Sequence, residues 1–593
     1  MNDGTNLPAQ TSAQPVEPPA PAPAPLSLAE RQERLAAWLQ FPRRLVLLLI
    51  AFGVAQVLIV ALQGPLLATG STRPGQTLDW SRSLATRAPV VQIVMERLPN
   101  TLLLLGVALF QAALLALGVC LVAVLVHNLG EKSGPLASVL KGMGRLWVFS
   151  QAAMPVFVIA LFLILVFAVR LKLLPASGMF DAQKPGDLAG RVSRLILPAL
   201  TLALLPAALT AQAVAREVTL PRARTGIRLW LVGLFRGLGV LPGQMGGLLG
   251  GAVLVETVFA WPGIGRLLTD YASRRDYPVL LGILSAYSGL ILVGRLAAEL
   301  FRWLERVVSR PIAAASFEPT QWQRTARIIW VVAALLLLLA PLTLAIVGLT
   351  VNQDAALKVD VQSRNQPPSA KHSWGTDSLG RDIQAQVLRG GLITIGLIAL
   401  TAALVLLPGL LGGAATGLLA SRRVWWAESL ADLLLLPADA LLFLPAIPAA
   451  MVMSILIGPA RSANAPWAWL SVGVAVVLLP RAVRVYQALW VSAPEQRKGL
   501  TLGLAGTGAL FLGSLWGGCW MITALEFMGY GVRPPFPTLG GLLTDAIRYL
   551  TVRPEGLLAS GIVLGACAFA FYTAADALVG FFHSKEVLVR LNE

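Results

Sequence analysis

Apolar segments of about 20 residues recur along the whole chain, and this is the length that a helix needs to cross about 30 Å of hydrocarbon. Twelve such segments are present, and they lie near 44–64, 100–126, 146–170, 194–215, 240–260, 279–301, 328–350, 390–420, 427–457, 467–489, 507–530 and 556–582. Because lipid offers no hydrogen-bond partners, each segment must satisfy its own backbone polar groups, as a helix does. The sequence therefore predicts an all-α polytopic membrane protein with about twelve transmembrane helices.

The composition of the 593 residues agrees with this prediction and excludes several other classes of protein. Only 13% of the residues are charged, whereas soluble domains carry about 25%. The three cysteines lie inside apolar segments, so they indicate small buried side chains rather than a disulfide framework. Three scattered histidines indicate no metal site, and we predict no catalytic residue and no cofactor bound by this chain.

The net charge of +17 raises the alternative of a nucleic-acid-binding protein. Such proteins present a basic stripe on the surface of a solvated domain. No stretch between the apolar segments is long enough to fold into such a domain. We therefore expect the basic loops to contact membrane lipids with anionic head groups, and we expect no nucleic acid to bind.

Two polar regions divide the chain. Residues 1–42 are rich in Pro and Ala, and we expect them to form a disordered cytoplasmic tail. A charged cytoplasmic linker at 304–327 separates residues 43–303 from residues 328–593. Each of these two halves contains six of the apolar segments.

The two halves are related in sequence near their fifth apolar segments. The string VETVFAWPGIGRLLTDYA of the first half is matched by LEFMGYGVRPPFPTLGGLLTDAI in the second. Glu256 is equivalent to Glu526, and Asp270 is equivalent to Asp545. With an even number of spans in each half, the repeats must be parallel and both termini must lie on one side of the membrane. The excess of Lys and Arg assigns that side to the cytoplasm by a small margin.

Long strings in both halves carry a resemblance to a known family. The first half contains LDWSRSLATRAPVVQIVMERLPNTLLL, FAVRLKLLPASG and the Glu256 string, which continues to SRRDYPVL. The second half contains HSWGTDSLGRDIQAQVLRGG and EFMGYGVRPPFPTLGGLL. These strings resemble the paired permease subunits of the dipeptide/oligopeptide/nickel ABC importers over nearly all of residues 44–583. The resemblance implies a type I ABC importer permease fold, with both subunits fused in one chain.

The resemblance also implies a function and partners. A permease of this family translocates peptides or a related small solute across the bacterial inner membrane. It receives substrate from a periplasmic or extracellular solute-binding protein and energy from ABC ATPase subunits, either two copies or a heteropair. The nearest string to a P-loop in this chain, NLGEKSG, does not have the Gly-x4-Gly-Lys-Ser/Thr spacing that cradles phosphates. ATP would therefore be used by the partner ATPase.

The loop WGTDSLGRD precedes the eighth apolar segment and contains residues suited to an ordered turn. Gly375 and Gly380 permit tight turns, while Asp377 or Asp382 can cap the helix that follows. Arg381 supplies a charged donor close to the membrane surface. One interpretation is a loop that simply begins a span. The other, implied by the resemblance, is an outer loop on which the binding protein docks, and both interpretations can hold.

Pro262 and Gly263 break the fifth segment, directly after Glu256. A charged side chain at such a depth costs about 2.5–3.5 kcal/mol, so Glu256 and its equivalent Glu526 each need a partner, a cavity or a proton. Two roles stay open for them, namely structural capping or pairing and direct contact with substrate or a gate. The resemblance assigns the same outer, binding-protein-facing surface to Asp270, Gly531 and Pro535.

In the resembled family, each half offers a cytoplasmic coupling helix to an ATPase. The positions that match this pattern are Glu217, Ala223 and Gly226 in the first half and Ala493, Glu495 and Gly499 in the second. Both sites depart from the family's pattern, and Pro494 interrupts the second one. The alternative for these basic loops is a surface that faces lipid.

Two other charged positions fall inside or beside apolar segments. Asp439 is expected to be a buried capping or pairing group, and Arg295 is expected to pair with Glu299 one helical turn later.

Two other functions remain open at the level of sequence. A secondary transporter would couple transport to protons through Glu256 or Glu526. A degenerate permease would act as a scaffold or sensor, which the departures in the coupling strings make conceivable.

Overall fold

The computed structural model describes residues 28–63, 79–130, 150–179, 187–218, 227–308, 321–422, 424–457, 467–492, 506–550 and 554–582. The helices of the first half are α1 Leu28–Ala61, α2 Val90–Gly130, α3 Val156–Leu163, α4 Leu188–Val218, α5 Ile227–Gly243, α6 Met245–Val258, α7 Ile264–Ser273 and α8 Tyr277–Val308. The helices of the second half are α9 Gln321–Leu337, α10 Leu339–Thr350, α11 Gln353–Leu357, α12 Ile383–Ser421, α13 Trp425–Leu441, α14 Ala446–Ile457, α15 Ala468–Ser492, α16 Thr507–Phe527, α17 Leu539–Arg548 and α18 Glu555–Phe582.

The predicted all-α membrane fold is confirmed in these ranges, with a difference in the number of full-length spans. Among the described residues, nine helices are long and apolar enough to cross a membrane, and the number rises to eleven if each of two bent pairs is counted as one span. The third predicted segment is represented by a shorter apolar helix, Val156–Arg170, whose last part, Ile164–Arg170, is π-helical. Pro155 stands at the N-cap of that helix, where its missing N–H costs no helical hydrogen bond.

The two bent pairs have identifiable causes. Phe235–Gly243 and Met245–Val258 meet at 52°, and Pro242 lies in the last turn before the break. Trp426–Leu441 and Ala446–Leu456 meet at 83°, and Pro445 directly precedes the second helix of that pair. Proline lacks a backbone N–H and clashes with the preceding turn, so a sharp bend in a helix is expected beside it.

The helix ends differ from the predicted boundaries of the polar regions. Helix α1 begins at Leu28, within the range predicted to be a disordered tail, and residues 1–27 lie outside the described ranges. Helix α8 continues to Val308 and α9 begins at Gln321, so both ends of the predicted linker are helical.

The two halves pack against each other in one shared hydrophobic core. Helix α1 packs on α8 of its own half and on α13 of the other half, while α6 contacts α14. Phe157 stacks on Phe527 with ring centres 4.7 Å apart, and Phe52 meets Phe443 edge-on at 5.9 Å. Burying large aromatic rings on both sides of this boundary stabilises the association of the halves.

Charged side chains also join the halves near the membrane surface. Arg43 in α1 donates from Nη2 to Oδ2 of Asp432 in α13, at 2.5 Å. This pair links the first span of one half to a helix of the other. Both side chains are partly exposed, so we expect the pair to fix orientation more than to add stability.

The predicted pairing of Arg295 with Glu299 is wrong. Glu299 instead accepts a hydrogen bond from Arg302 at 2.9 Å and lies 3.8 Å from Arg44. Arg295 donates to the carbonyl oxygen of Leu442 at 3.0 Å. The break between α13 and α14 leaves backbone carbonyls without helical donors, and such an acceptor at the end of a helix attracts a cation.

The packing of α12 on α15 yields a testable prediction. A Cβ atom at Gly413 would lie 2.6 Å from Cβ of Tyr486 and 2.9 Å from the carbonyl oxygen of Val483, whereas Gly396 on the same helix has no atom within 4 Å. We expect Gly413→Val to destabilise the protein by about 1–3 kcal/mol through overpacking. Gly396→Val is the matched control, and thermal unfolding in detergent measures both. Equal melting temperatures for the two variants would contradict the close approach of α12 and α15.

Candidate functional site

Glu256 caps the short helix α7 from inside the membrane. Its side chain is fully buried at the end of α6. Oε2 accepts hydrogen bonds from the backbone N–H groups of Gly265 at 2.7 Å and Arg266 at 3.0 Å. Oε1 accepts one from the hydroxyl of Thr101 at 2.7 Å. The first N–H groups of a helix have no partner within the helix and carry a partial positive charge. A carboxylate accepts hydrogen bonds from these groups and also balances their charge.

The second half repeats this arrangement around Glu526. Its side chain is only 4% exposed, and Oε2 accepts from the backbone N–H of Gly540, near the start of α17, at 3.1 Å. The hydroxyl of Thr394 lies 3.2 Å from each carboxylate oxygen. In each half, a glutamate and a threonine of a long helix therefore hold the start of a short helix. In the second half Thr538, the N-cap of α17, also accepts from the N–H of Gly541 at 3.2 Å.

The two threonines complete the caps by accepting as well as donating. Thr101 Oγ1 accepts from the N–H of Ile264 at 2.9 Å, and Thr394 Oγ1 accepts from the N–H of Leu539 at 3.1 Å. Sequence reasoning found the glutamates and missed both threonines. The available signal was their equivalent position, 11 residues after the first residue of α2 and of α12, and this equivalence is visible only when the two helices are aligned with each other.

Glycines allow the close approach that the caps require. A Cβ atom at Gly263 would overlap the carboxylate of Glu256, and one at Gly265 would lie 2.6 Å from Cα of Val253. In the second half, a Cβ atom at Gly531 would lie 2.6 Å from Cα of Glu526. The breaks after the glutamates thus fold the short helices back onto the ends of α6 and α16.

Two prolines of the predicted outer surface lie in the same breaks. The carbonyl oxygen of Pro262 accepts a hydrogen bond from the side-chain amide of Asn100 at 2.9 Å. Pro535 lies in the loop before α17 and follows Pro534 through a cis peptide bond. We use "capped end" for the end of the bundle formed by α7, α17 and these loops.

The loop WGTDSLGRD forms an ordered turn at the capped end. Asp382 is the N-cap of α12 and accepts from the N–H of Ala385 at 2.8 Å. Asp377 accepts from the N–H and from Nε of Arg381, at 2.9 and 2.7 Å. Gly375 and Gly380 both have φ +78°, a conformation that glycine adopts without strain. The predicted turn and cap are present, and the docking of a binding protein there stays a prediction.

The equivalent aspartates Asp270 and Asp545 occupy different surroundings. Asp545 lines a small cavity together with Asp377, Arg381 and Tyr549. Burial raises the pKa of Asp545, and the guanidinium of Arg381 opposes that rise. Asp270 is exposed on α7. The two halves therefore share the glutamate caps, whereas the surroundings of the two equivalent aspartates differ.

The two halves meet at the capped end through Tyr530. Its hydroxyl donates to the carbonyl oxygen of Thr269 in the other half at 3.2 Å. Burial, followed by the nearby charge of Asp270, raises the pKa of Tyr530 to about 12. The hydroxyl therefore keeps its proton at neutral pH and remains a donor.

Most of the predicted coupling residues lie outside the described residues, namely Ala223, Gly226, Ala493, Glu495 and Gly499. Glu217 belongs to the last turn of α4. In the described ranges, no group of three or more His, Cys, Asp or Glu side chains is placed to hold a metal ion.

Comparison with known proteins gives the family. No protein-family model matches the chain. The chain is 33% identical over 246 residues to the di/tripeptide transport system permease protein DppB of Pseudomonas aeruginosa, covering 36% of this chain and 70% of the relative. It is 30% identical over 268 residues to the dipeptide transport system permease protein DppB of Escherichia coli K12, covering 37% and 74%. The chain belongs to the permease family of the dipeptide/oligopeptide ABC importers.

A third relative is also a peptide transport permease. The oligopeptide transport system permease protein AppB of Bacillus subtilis is 28% identical over 242 residues, covering 37% of this chain and 73% of the relative. These relatives are transport permeases, and this permease is likewise a multi-pass membrane protein. Each match spans most of the relative but little more than a third of this permease, as expected where one chain carries two copies of the unit.

The caps yield a testable prediction. Glu256→Gln keeps one oxygen that can accept from the N–H groups of α7, so we expect a loss of about 1 kcal/mol, whereas Glu256→Ala leaves those groups unpaired and costs about 1–3 kcal/mol. Thermal unfolding of the purified permease measures both. Glu96→Ala, at an exposed glutamate on α2, is the control for removing a carboxylate. If Glu256→Ala unfolds at the same temperature as the control, the cap does not stabilise the helix.

Proposed function

We propose that this chain forms both halves of the membrane channel of an ABC importer for peptides or a related small solute. The observation that carries this proposal is the presence of two equivalent carboxylate caps, at Glu256 and Glu526, in halves that share one core. The relatives are permeases of dipeptide, di/tripeptide and oligopeptide transport systems, and this supports the class of substrate.

The proposed partners are ABC ATPase subunits, as two copies or a heteropair, and a periplasmic or extracellular solute-binding protein. In this proposal the permease lies in the inner membrane with both termini in the cytoplasm. Its halves are residues 43–303 and 328–593, joined by the linker at 304–327. The capped end then faces outward and receives substrate from the binding protein.

The proposed mechanism is alternating access, in which the halves rock against each other. Each cap ties a short helix to a long one, because Thr101 belongs to α2 and Thr394 to α12. The short and long helices of a half would therefore move together. Contacts between the halves at the capped end, such as Tyr530 with Thr269, would separate when the path opens outward.

The caps favour ATP over a proton gradient as the source of energy. Both carboxylate oxygens of Glu256 accept hydrogen bonds from groups that hold the fold together. A proton carrier must instead gain and lose its proton during each cycle, which would disturb the start of α7. We therefore assign Glu256 and Glu526 a structural role.

The experiment that tests this function is uptake of a labelled dipeptide into proteoliposomes. The vesicles contain this permease and its ATPase subunits, with the binding protein outside and ATP inside. We expect uptake that requires ATP and requires no second permease chain. Uptake driven by a proton gradient without ATP would reject the proposal, and so would a requirement for another permease.

A second prediction concerns the coupling loops at 217–230 and 491–502. If these loops dock ATPase subunits, Gly226→Arg should abolish ATP-driven uptake by steric exclusion, and Gly499→Arg should have a smaller effect because the second string departs further from the family's pattern. Gly226→Ala is the control, and the amount of protein in the membrane fraction verifies insertion. Normal uptake by Gly226→Arg would reject the assignment of the first loop.

A further inference from the structure

Arg481 is a charged residue near the middle of a membrane-spanning helix. It lies 13 residues after the first residue of α15, which corresponds to about 20 Å along the helix axis. No acidic side chain lies within 4 Å of its guanidinium in the part of the chain that the structure describes. A charged side chain at this depth in a membrane is costly, and arginines in such positions commonly serve a function.

The surroundings of Arg481 place it beside a second helix of the same half. Its side chain is exposed, and its guanidinium lies close to Tyr572 of α18. Charged side chains within a span almost always face the interior of the bundle or a water-filled cavity. An accessible arginine that also lies against a neighbouring helix fits such a position.

A second hydrogen-bond donor without an acceptor lies beside it. The guanidinium carbon of Arg481 is 5.7 Å from the centre of the Trp516 ring on α16. Nε1 of Trp516 is buried and has no hydrogen-bond partner among the described residues. Most buried polar groups in proteins are paired, so the free donor of Trp516 beside the guanidinium of Arg481 offers a place for an acceptor of a bound solute.

The aromatic neighbours hold Trp516 in place. Its ring lies 5.3 Å from that of Tyr572 and 6.3 Å from that of Trp520. A ring fixed in this way also restrains the guanidinium that lies over it, since a cation is attracted to the face of an indole.

Two other arginines near the same level have partners, which sets Arg481 apart. Arg484 donates from Nε to Asp439 at 2.8 Å, so its charge is neutralised. Arg295 donates to the carbonyl oxygen of Leu442 and lies over the ring of Phe443. The only carboxylate paired with these three arginines in the described structure is that of Asp439. Of these three arginines, Arg481 alone has neither a carboxylate nor a carbonyl acceptor among the described residues.

We propose that Arg481 and Trp516 bind an anionic group of the transported solute, and that in a peptide this group is the C-terminal carboxylate. The guanidinium offers parallel N–H donors that match the two oxygens of a carboxylate, and the indole N–H offers one more. This inference rests on the proposed function and adds the chemical class that the channel recognises.

The test compares two peptides that differ only in this group. Fluorescently labelled tri-alanine, with a free carboxylate, and the same peptide with a C-terminal amide are titrated against the purified permease by fluorescence polarisation. The permease is held in nanodiscs of phosphatidylcholine, which contain no anionic lipid to compete for the site. We expect the carboxylate peptide to bind at least 10-fold more tightly.

Variants assign that preference to the two residues. Arg481→Gln should abolish the 10-fold preference, and Arg481→Lys should retain part of it. Trp516→Phe, which keeps a ring and removes the N–H, should reduce the preference. Arg422→Gln, at an exposed arginine after α12, is the control for loss of one charge and should leave the preference unchanged.

The outcomes separate this inference from the proposed function. Equal binding of the two peptides, binding of neither, or an unchanged preference in Arg481→Gln would overturn the inference. Selective binding of the carboxylate peptide together with failure of ATP-driven uptake would support the inference and reject the importer instead.

Discussion

A carboxylate buried at the N-terminus of a short helix is the interaction on which the rest of this structure depends. A charge inside a membrane is tolerated only where fixed dipoles or hydrogen bonds replace water. Glu256 and Glu526 meet this condition, because Glu256 accepts from two backbone N–H groups and Glu526 from one, all of which would otherwise lack partners in their helices. Each cap in turn allows the chain to break a span and fold back, which forms the capped end.

The same interaction couples distant parts of each half. Thr101 and Thr394 connect the caps to α2 and α12, and the breaks bring the two halves into contact through Tyr530. The aromatic core below this end, including Phe157 on Phe527, holds the halves together. One chain thereby forms two equivalent units, and the proposed mechanism requires that they move relative to each other without losing their internal geometry.

Sequence predicted the all-α membrane fold, the repeat and the equivalence of the glutamates, because hydropathy and similar strings are local properties; it predicted twelve spans where the described residues form nine to eleven. It did not predict contacts between helices. Glu299 has suitable spacing for Arg295, yet Arg295 reaches the carbonyl of Leu442 because the break in the other half exposes an acceptor there. The approach of Arg481 to Trp516 likewise depends on helix packing and has no signature in the sequence.

The most direct test of the account is the stoichiometry of the assembled transporter. The complex of the permease with its ATPase subunits would be purified in nanodiscs or detergent and weighed by native mass spectrometry. We predict one permease chain of 62.8 kDa with two ATPase subunits. Two permease chains in each complex, or a second and different permease subunit, would contradict the claim that one chain forms both halves of the channel.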